Sequence, residues 1–173
     1  FSTEPAYREL SLCVYSVVFF GAPHSGIHTT AWETIYHGQI TETLIRDLRK
    51  DSTFLLDLKQ SFARVADNIK IITCYERRTT PTLQVDEHGV PKRNGKEEMM
   101  VEPSSALLGL KNEEPIPINE NHSMIAKLSD LPDSAYQPLR DKISSHCQEA
   151  PTVIRVRFLQ EDSAKLMERI CHE

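Results

Sequence analysis

The sequence predicts an α/β fold in which helices flank a parallel β-sheet. Two apolar runs carry this prediction: CVYSVVFF at 13–20 and NIKIITCYE at 68–76. Both are rich in β-branched and aromatic residues and lack strict alternation, which is typical of strands buried on both faces. The segment between them has helical spacing, so we expect a helical crossover and two parallel strands.

The crossover is predicted to contain two helices. In the first, at 41–50, three apolar residues share one face: Leu44, Ile45 and Leu48. Asp51 or Ser52 is a suitable N-cap for the second helix. Its expected core-facing stripe recurs at three- and four-residue steps and consists of Leu55, Leu58, Phe62 and Val65.

An exposed insertion is predicted after the second strand. Residues 82–101 are strongly charged and combine His-Gly and Asn-Gly turn signals with short apolar runs. We expect a strand near 97–101 with a loose hairpin before it.

The C-terminal segment is predicted to begin with a helix at 135–148, with Leu139 and Ile143 on its inner face. Pro151 is expected to end that helix. The alternating residues 153–160 then indicate an edge strand, and the last dozen residues a final helix. The predicted division is a domain at 1–150 and a tail, or the start of a linker, at 151–173.

Composition excludes several classes of protein. With 173 residues, 39% of them hydrophobic and 26% charged, the chain suits one packed domain. A net charge of −5 argues against a nucleic-acid partner, and no apolar run is long enough for a transmembrane segment.

The chain starts at Phe1 without signal-peptide features, so we expect a cytoplasmic protein and a sequence cut from a longer one. Four distant cysteines form no CxxC pair, which favours reduced thiols: Cys13, Cys74, Cys147 and Cys171.

Chemistry is expected beyond the carboxyl ends of the strands, where open α/β sheets bind ligands. A tight turn at 21–26 (GAPHSG) follows the first strand, Glu76 ends the second, and His122 comes later in NENHSMIAKL. Nucleophile, acid, histidine is the chain order of α/β-hydrolase triads, in which the acid orients the imidazole and the imidazole takes the proton of the nucleophile.

The chain resembles the C-terminal half of a serine-esterase-like, lipase-like α/β-hydrolase domain of the type found in large fungal multidomain proteins with NACHT or ankyrin modules. Four stretches carry the resemblance: VYSVVFFGAPHSG, NIKIITCYE, VEPSSALLG and NENHSMIAKL. It implies a partial hydrolase-like sheet and action on carboxylic or lipid esters, with no cofactor or metal. It also implies that His122 is the triad histidine and general base, oriented by Glu76 as the triad acid.

The nucleophile of that family is not found in this sequence. Its serine lies in a G-x-S-x-G turn, which occurs nowhere in the 173 residues. We therefore expect the serine and the N-terminal strands to precede Phe1 or to be absent, and this chain alone to be inactive. The turn after the first strand is then a wall of the cleft. Gly21 and Gly26 permit close backbone approach or positive φ, and Pro23 stiffens the backbone between them. We expect His24 to hold this turn by hydrogen bonds, with Ser25 next to it.

Other interpretations of these residues stay open at the level of sequence. His122 could cap the following helix, and Glu76 could be a solvated partner of Arg77 or Arg78. Rival acids are Asp86 and Glu102, and Ser25 is a weak substitute for the nucleophile. A metal site at His24, His28 and His37 is disfavoured because Pro23 and Gly26 oppose the helix that it requires. In function, the alternative is a non-catalytic hydrolase-like remnant that binds protein partners within a larger chain.

Overall fold

The fold is taken from a computed structural model that describes residues 5–28, 42–127 and 136–172. Its centre is a three-stranded parallel sheet of β1 (Ser16–Phe20), β2 (Lys70–Glu76) and β5 (Glu113–Ile118), in the spatial order β1-β2-β5. The predicted parallel pairing of the two apolar runs is confirmed. Strands β3 (Thr80–Val85) and β4 (Pro91–Glu98) form a separate antiparallel hairpin between β2 and β5.

Five helices complete the described part of the chain. Helix α1 (Pro5–Cys13) precedes β1, and α2 (Glu42–Asp47) and α3 (Thr53–Val65) lie in the crossover between β1 and β2. Helix α4 (Pro103–Ala106) is a single turn before β5, and α5 (Gln137–His172) closes the chain. The class is thus α/β with flanking helices. Among the helices of the described residues, none combines the length and the apolar content needed to cross a bilayer.

Apolar side chains cover both faces of the sheet, which is why β2 is apolar without alternation. On one face they come from the strands, the turn after β5 and the start of α5: Ile72, Cys74, Ile116, Ile118, Ile125, Tyr136 and Leu139. On the other face α3 and the segment before β5 contribute to a second cluster around Ile71: Ala66 and Leu108, with Phe19 and Phe62 packed against it.

Strand β5 (EEPIPI) was not predicted, because its two prolines oppose strand structure. The carbonyl group of Asn112 accepts a hydrogen bond from Ile71 in β2, and that of Ile118 accepts one from Arg77 just after β2. The even-numbered residues of β5 therefore turn their backbone toward β2. Pro115 and Pro117 alternate with them and face the outer side, where the missing N–H removes no bond to β2. The prolines are therefore compatible with an edge strand.

Two of the helical stripes differ from the prediction. Ser52 is the N-cap of α3, although its side chain makes no capping bond, and Leu55 is buried. Leu58 and Val65 are exposed, because α3 is turned so that the stem of Lys59 faces inward. The other apolar residues that were expected in the core and are exposed are Leu44 and Ile143.

The insertion forms a hairpin, but its second strand spans Pro91–Glu98 and not 97–101. This strand (PKRNGKEE) is almost wholly exposed, so no apolar pattern marked it. Pairing with β3 and the turn at Asp86 hold it in place: the Asp86 carboxylate accepts the N–H groups of His88 and Val90 and pairs with Lys92 at 2.8 Å.

Helix α5 continues through Pro151, so the predicted break there and the predicted edge strand at 153–160 are both wrong. A proline inside a helix costs about 3 kcal/mol or more. Contacts on both sides of it oppose that cost. Before it, Tyr15 donates a 2.6 Å hydrogen bond to Glu149. After it, the Arg157 guanidinium donates to the carbonyl groups of Leu12, Val14 and Asn68.

Candidate active site

Glu76 and His122 are brought together at the carboxyl edge of the sheet. Glu76 is the last residue of β2, and His122 follows the end of the neighbouring strand β5 by four residues. The Oε2 atom of Glu76 lies 2.7 Å from Nδ1 of His122, a hydrogen-bonding distance. We call this pair the dyad.

The carboxylate of the dyad is fully buried. Glu76 is 1% exposed, and its second oxygen, Oε1, accepts the backbone N–H of Val101 at 3.0 Å. Each carboxylate oxygen thus has one donor, as a buried charge requires. A solvated ion pair with Arg77 or Arg78 is therefore wrong for Glu76, and Arg78 lies instead 3.7 Å from Glu120.

His122 is held through its backbone and through its ring, and its side chain is partly open to solvent. The His122 backbone N–H donates to Oγ1 of Thr80 at 3.2 Å, and a Cβ placed on Gly21 would lie only 3.1 Å from Nδ1. The side chain keeps 33% of its exposure. The capping role belongs to Asn121, whose Oδ1 accepts the N–H of Met124 at 3.1 Å.

The dyad determines which nitrogen of the imidazole is basic. A carboxylate only accepts hydrogen bonds, so Nδ1 carries the proton and Nε2 presents its lone pair. From the described part of the chain, no group forms a hydrogen bond with Nε2. This tautomer is the one in which an imidazole accepts a proton from a hydroxyl group.

The turn at 21–26 touches the dyad at one end. Gly21 and Gly26 have φ values of 54° and 86°, in the left-handed region that favours glycine. Gly21 lies against the imidazole, whereas a Cβ on Gly26 would lie 2.3 Å from the Arg49 carbonyl oxygen. The N–H of Gly26 closes the turn on the Pro23 carbonyl at 3.1 Å.

Within the described residues, the His24 side chain forms no hydrogen bond, and the bond that His24 brings to the turn comes from its backbone N–H. Its ring packs edge-on against Phe19, with 4.7 Å between centroids, and its Nε2 is buried without a partner among the described residues. Burial lowers the pKa of the His24 imidazole, Glu113 raises it by a smaller effect and Lys59 lowers it, so the environment favours the neutral ring. His24 holds the turn by packing and by its backbone N–H, which bonds to Ala22.

Ser25 belongs to a different surface. Its Oγ accepts a 3.4 Å hydrogen bond from the Lys59 ammonium, which also donates to the Leu107 carbonyl. Its backbone N–H donates to Ser105. Ser25 and Gly26 help to line a small pocket of about 30 Å³, room for roughly one water molecule. No hydrogen bond joins Ser25 to the dyad, so the structure does not support it as a substitute nucleophile.

Neither Asp86 nor Glu102 forms a hydrogen bond or an ion pair with His122. Asp86 fixes the β3–β4 turn, where its hydrogen bonds to Lys92, Val90 and His88 lower its pKa. Glu102 is exposed at the start of α4.

Two residues that hold the dyad escaped sequence analysis: Thr80 and Val101, each 1% exposed. Thr80 is the first residue of the hairpin and Val101 follows its last strand, so each end of the hairpin holds one member of the dyad. No sequence pattern indicates Thr80, because its hydroxyl oxygen accepts a hydrogen bond from a backbone N–H that lies 42 residues away. The role of Val101 is played by its backbone alone, which no side-chain pattern can indicate.

The described ranges contain no group of three or more His, Cys, Asp or Glu residues that could hold a metal ion, and His37 lies outside those ranges. All four cysteines are free. No protein-family model, curated protein or solved structure matches the chain. Its function must therefore be inferred from the site.

Proposed function

We propose that this chain carries the acid–histidine part of a serine-hydrolase active site that acts on carboxylic or lipid esters. The observation that supports this most is the 2.7 Å contact between Glu76 and His122. A buried acid fixes one nitrogen of a partly exposed imidazole, at the carboxyl ends of adjacent parallel strands, in the chain order acid then histidine.

The proposed chemistry needs a serine that is not in this sequence, because no G-x-S-x-G occurs in it. Nε2 of His122 takes the proton of the serine hydroxyl while its oxygen attacks the ester carbonyl carbon. The Glu76 carboxylate stabilises the imidazolium that forms. Nε2 then returns the proton to the departing alkoxide, and a water molecule repeats the sequence to release the acid.

The dyad is partly open to solvent. One third of the His122 side chain is exposed, which leaves room for a group from outside the described residues. The proposal uses no metal or cofactor, since the acid, the base and the missing hydroxyl complete acyl transfer among themselves.

Fluorophosphonate labelling of the native protein tests the proposal. The protein should include whatever sequence precedes Phe1, because the proposed serine is not among these 173 residues. Fluorophosphonates react with serines that a neighbouring base activates. We expect labelling and ester hydrolysis in the native protein, and loss of both in His122→Ala. The matched control is His88→Ala, since the His88 side chain is 77% exposed and lies on the hairpin. A native protein that is neither labelled nor active would overturn the proposal and support the non-catalytic interaction module.

A further inference from the structure

Helix α5 has one face on the domain and another with no cover among the described residues. Its inner face contains the half-buried residues Val153, Ile154, Arg157, Phe158 and Glu161. These residues recur at helical spacing, and Arg157 and Glu161 bind the N-terminal segment: Arg157 through the carbonyl groups of Leu12 and Val14, Glu161 through Arg8 at 2.6 Å.

The opposite face carries an apolar stripe. It consists of four residues that are 45%, 58%, 58% and 60% exposed: Val156, Leu159, Leu166 and Ile170. Their spacing, with Ser163 at the centre, is three, four, three and four, which is the a/d pattern of a coiled coil. We call this set the outer stripe. It points away from the domain because it lies about half a helical turn from the inner face.

The end of α5 has no packing on any side within the described residues. Every residue from 162 to 171 is exposed. Most of the stability of a helix in a protein comes from packing of its apolar face, so this end has stability to gain from a partner.

Charges on the edges of the outer stripe point to a second copy of the chain. Asp162 and Arg169 both occupy the g position, one heptad apart. When two such helices pair antiparallel, g positions face each other, so Asp162 of each copy meets Arg169 of the other. In a parallel pair Asp162 would face Met167 and gain nothing.

We propose that the outer stripe is a homodimer interface in which two α5 helices pair antiparallel. Leu159 of one copy packs on Ile170 of the other, and Ser163 on Leu166, with the two Asp162–Arg169 pairs at the edges. Because the stripe is its own complement in this arrangement, one surface serves both copies, as a two-fold dimer requires. This inference does not depend on the proposed function.

Sedimentation velocity of the chain over about 1–200 µM tests the interface. We expect a concentration-dependent monomer–dimer equilibrium that Leu166→Asp weakens at least about 100-fold, because the charge enters the interface twice. The matched control is Leu58→Asp, since Leu58 is 55% exposed on α3 and should leave the dimer unchanged. A chain that stays monomeric throughout, or a dimer that Leu166→Asp does not weaken, overturns the proposal.

Charge reversal tests the orientation. Asp162→Arg or Arg169→Asp alone should weaken the dimer about 3- to 10-fold, and the double variant should recover most of the loss. In the antiparallel dimer the two Cys171 residues lie about 20 Å apart along the helices, too far for a disulfide. Failure of the double variant to recover, or rapid oxidative cross-linking through Cys171, indicates a different pairing and contradicts the antiparallel arrangement.

Discussion

Replacing Glu76 by glutamine should both destabilise the fold and reverse the tautomer of His122. The carboxylate accepts two hydrogen bonds, from the Val101 N–H at 3.0 Å and from His122 Nδ1 at 2.7 Å. The amide has one oxygen and one NH₂ group, so it can satisfy only one of these donors. The Val101 N–H is buried and fixed by the backbone, and the amide oxygen should stay on it.

The magnitude follows from the negative charge that is lost. The NH₂ group faces Nδ1, and the imidazole avoids a clash of donors by moving its proton to Nε2, after which the NH₂ group donates to Nδ1. Two hydrogen bonds to a charged group are thus replaced by two neutral ones, each weaker by roughly 1 kcal/mol, so Glu76→Gln should lower the free energy of unfolding by about 2 kcal/mol. The same change removes the lone pair from Nε2 and with it the general base.

Urea denaturation measures the energetic part of this prediction. Glu87→Gln is the matched control, because the Glu87 side chain is 86% exposed and its replacement should alter the unfolding free energy by less than about 0.5 kcal/mol. If Glu76→Gln is as small in effect as the control, the buried carboxylate with two donors is not the arrangement in solution.

Three further predictions follow from glycine geometry, pH and thiol burial. Alanine at Gly89, which has positive φ but open space around it, should lower the free energy of unfolding by about 1 kcal/mol. At Gly21 the loss should be larger and the imidazole displaced, and at Gly26, where the new Cβ would lie 2.3 Å from a backbone oxygen, the loss should be largest. Urea denaturation of the three variants checks this order. Burial tends to raise the pKa of Glu113, but hydrogen bonds from one hydroxyl and three backbone N–H groups lower it below its ordinary value of 4.5. The stability that Glu113 contributes is therefore present above pH 4.5 and is lost as the pH falls through the lower pKa of the folded state. In Glu113→Gln the free energy of unfolding should fall less on acidification than in the wild type, and an equal fall would contradict this. Burial raises the pKa of Cys74 to about 11, so a thiol reagent at neutral pH should modify the three exposed cysteines of the native protein quickly and Cys74 only on unfolding.

The parts of the fold that the sequence predicts are those in which burial decides the structure. The strand at 16–20 is apolar after Ser16, and the strand at 70–76 is mostly apolar between Lys70 and Glu76, a pattern that indicates a buried sheet. The candidate acid could be located because Glu76 ends an apolar run, and the candidate histidine because His122 lies in NENHSMIAKL, one of the stretches that carry the resemblance. Their contact depends on the adjacency of β2 and β5, and β5 itself was hidden by Pro115 and Pro117.

The parts that escaped prediction are held by distant polar contacts. Pro151 is tolerated inside α5 because Tyr15 and Arg157 connect the helix to the first strand and its approach, on both sides of the proline. The alternation at 153–160 matches a strand, yet the same residues also fall at helical spacing on the inner face of α5. Local pattern alone does not distinguish the two, since the deciding hydrogen bonds span more than 130 residues.

Nitrogen-15 NMR of the His122 side chain is the measurement that tests the dyad most directly. At a pH where the imidazole is neutral, the dyad predicts a protonated Nδ1 and a Nε2 with a free lone pair, and Glu76→Gln should exchange the two. A neutral His122 that carries its proton on Nε2, or a tautomer that does not respond to Glu76→Gln, would show that Glu76 does not orient the imidazole, and the proposed hydrolase chemistry would lose its basis.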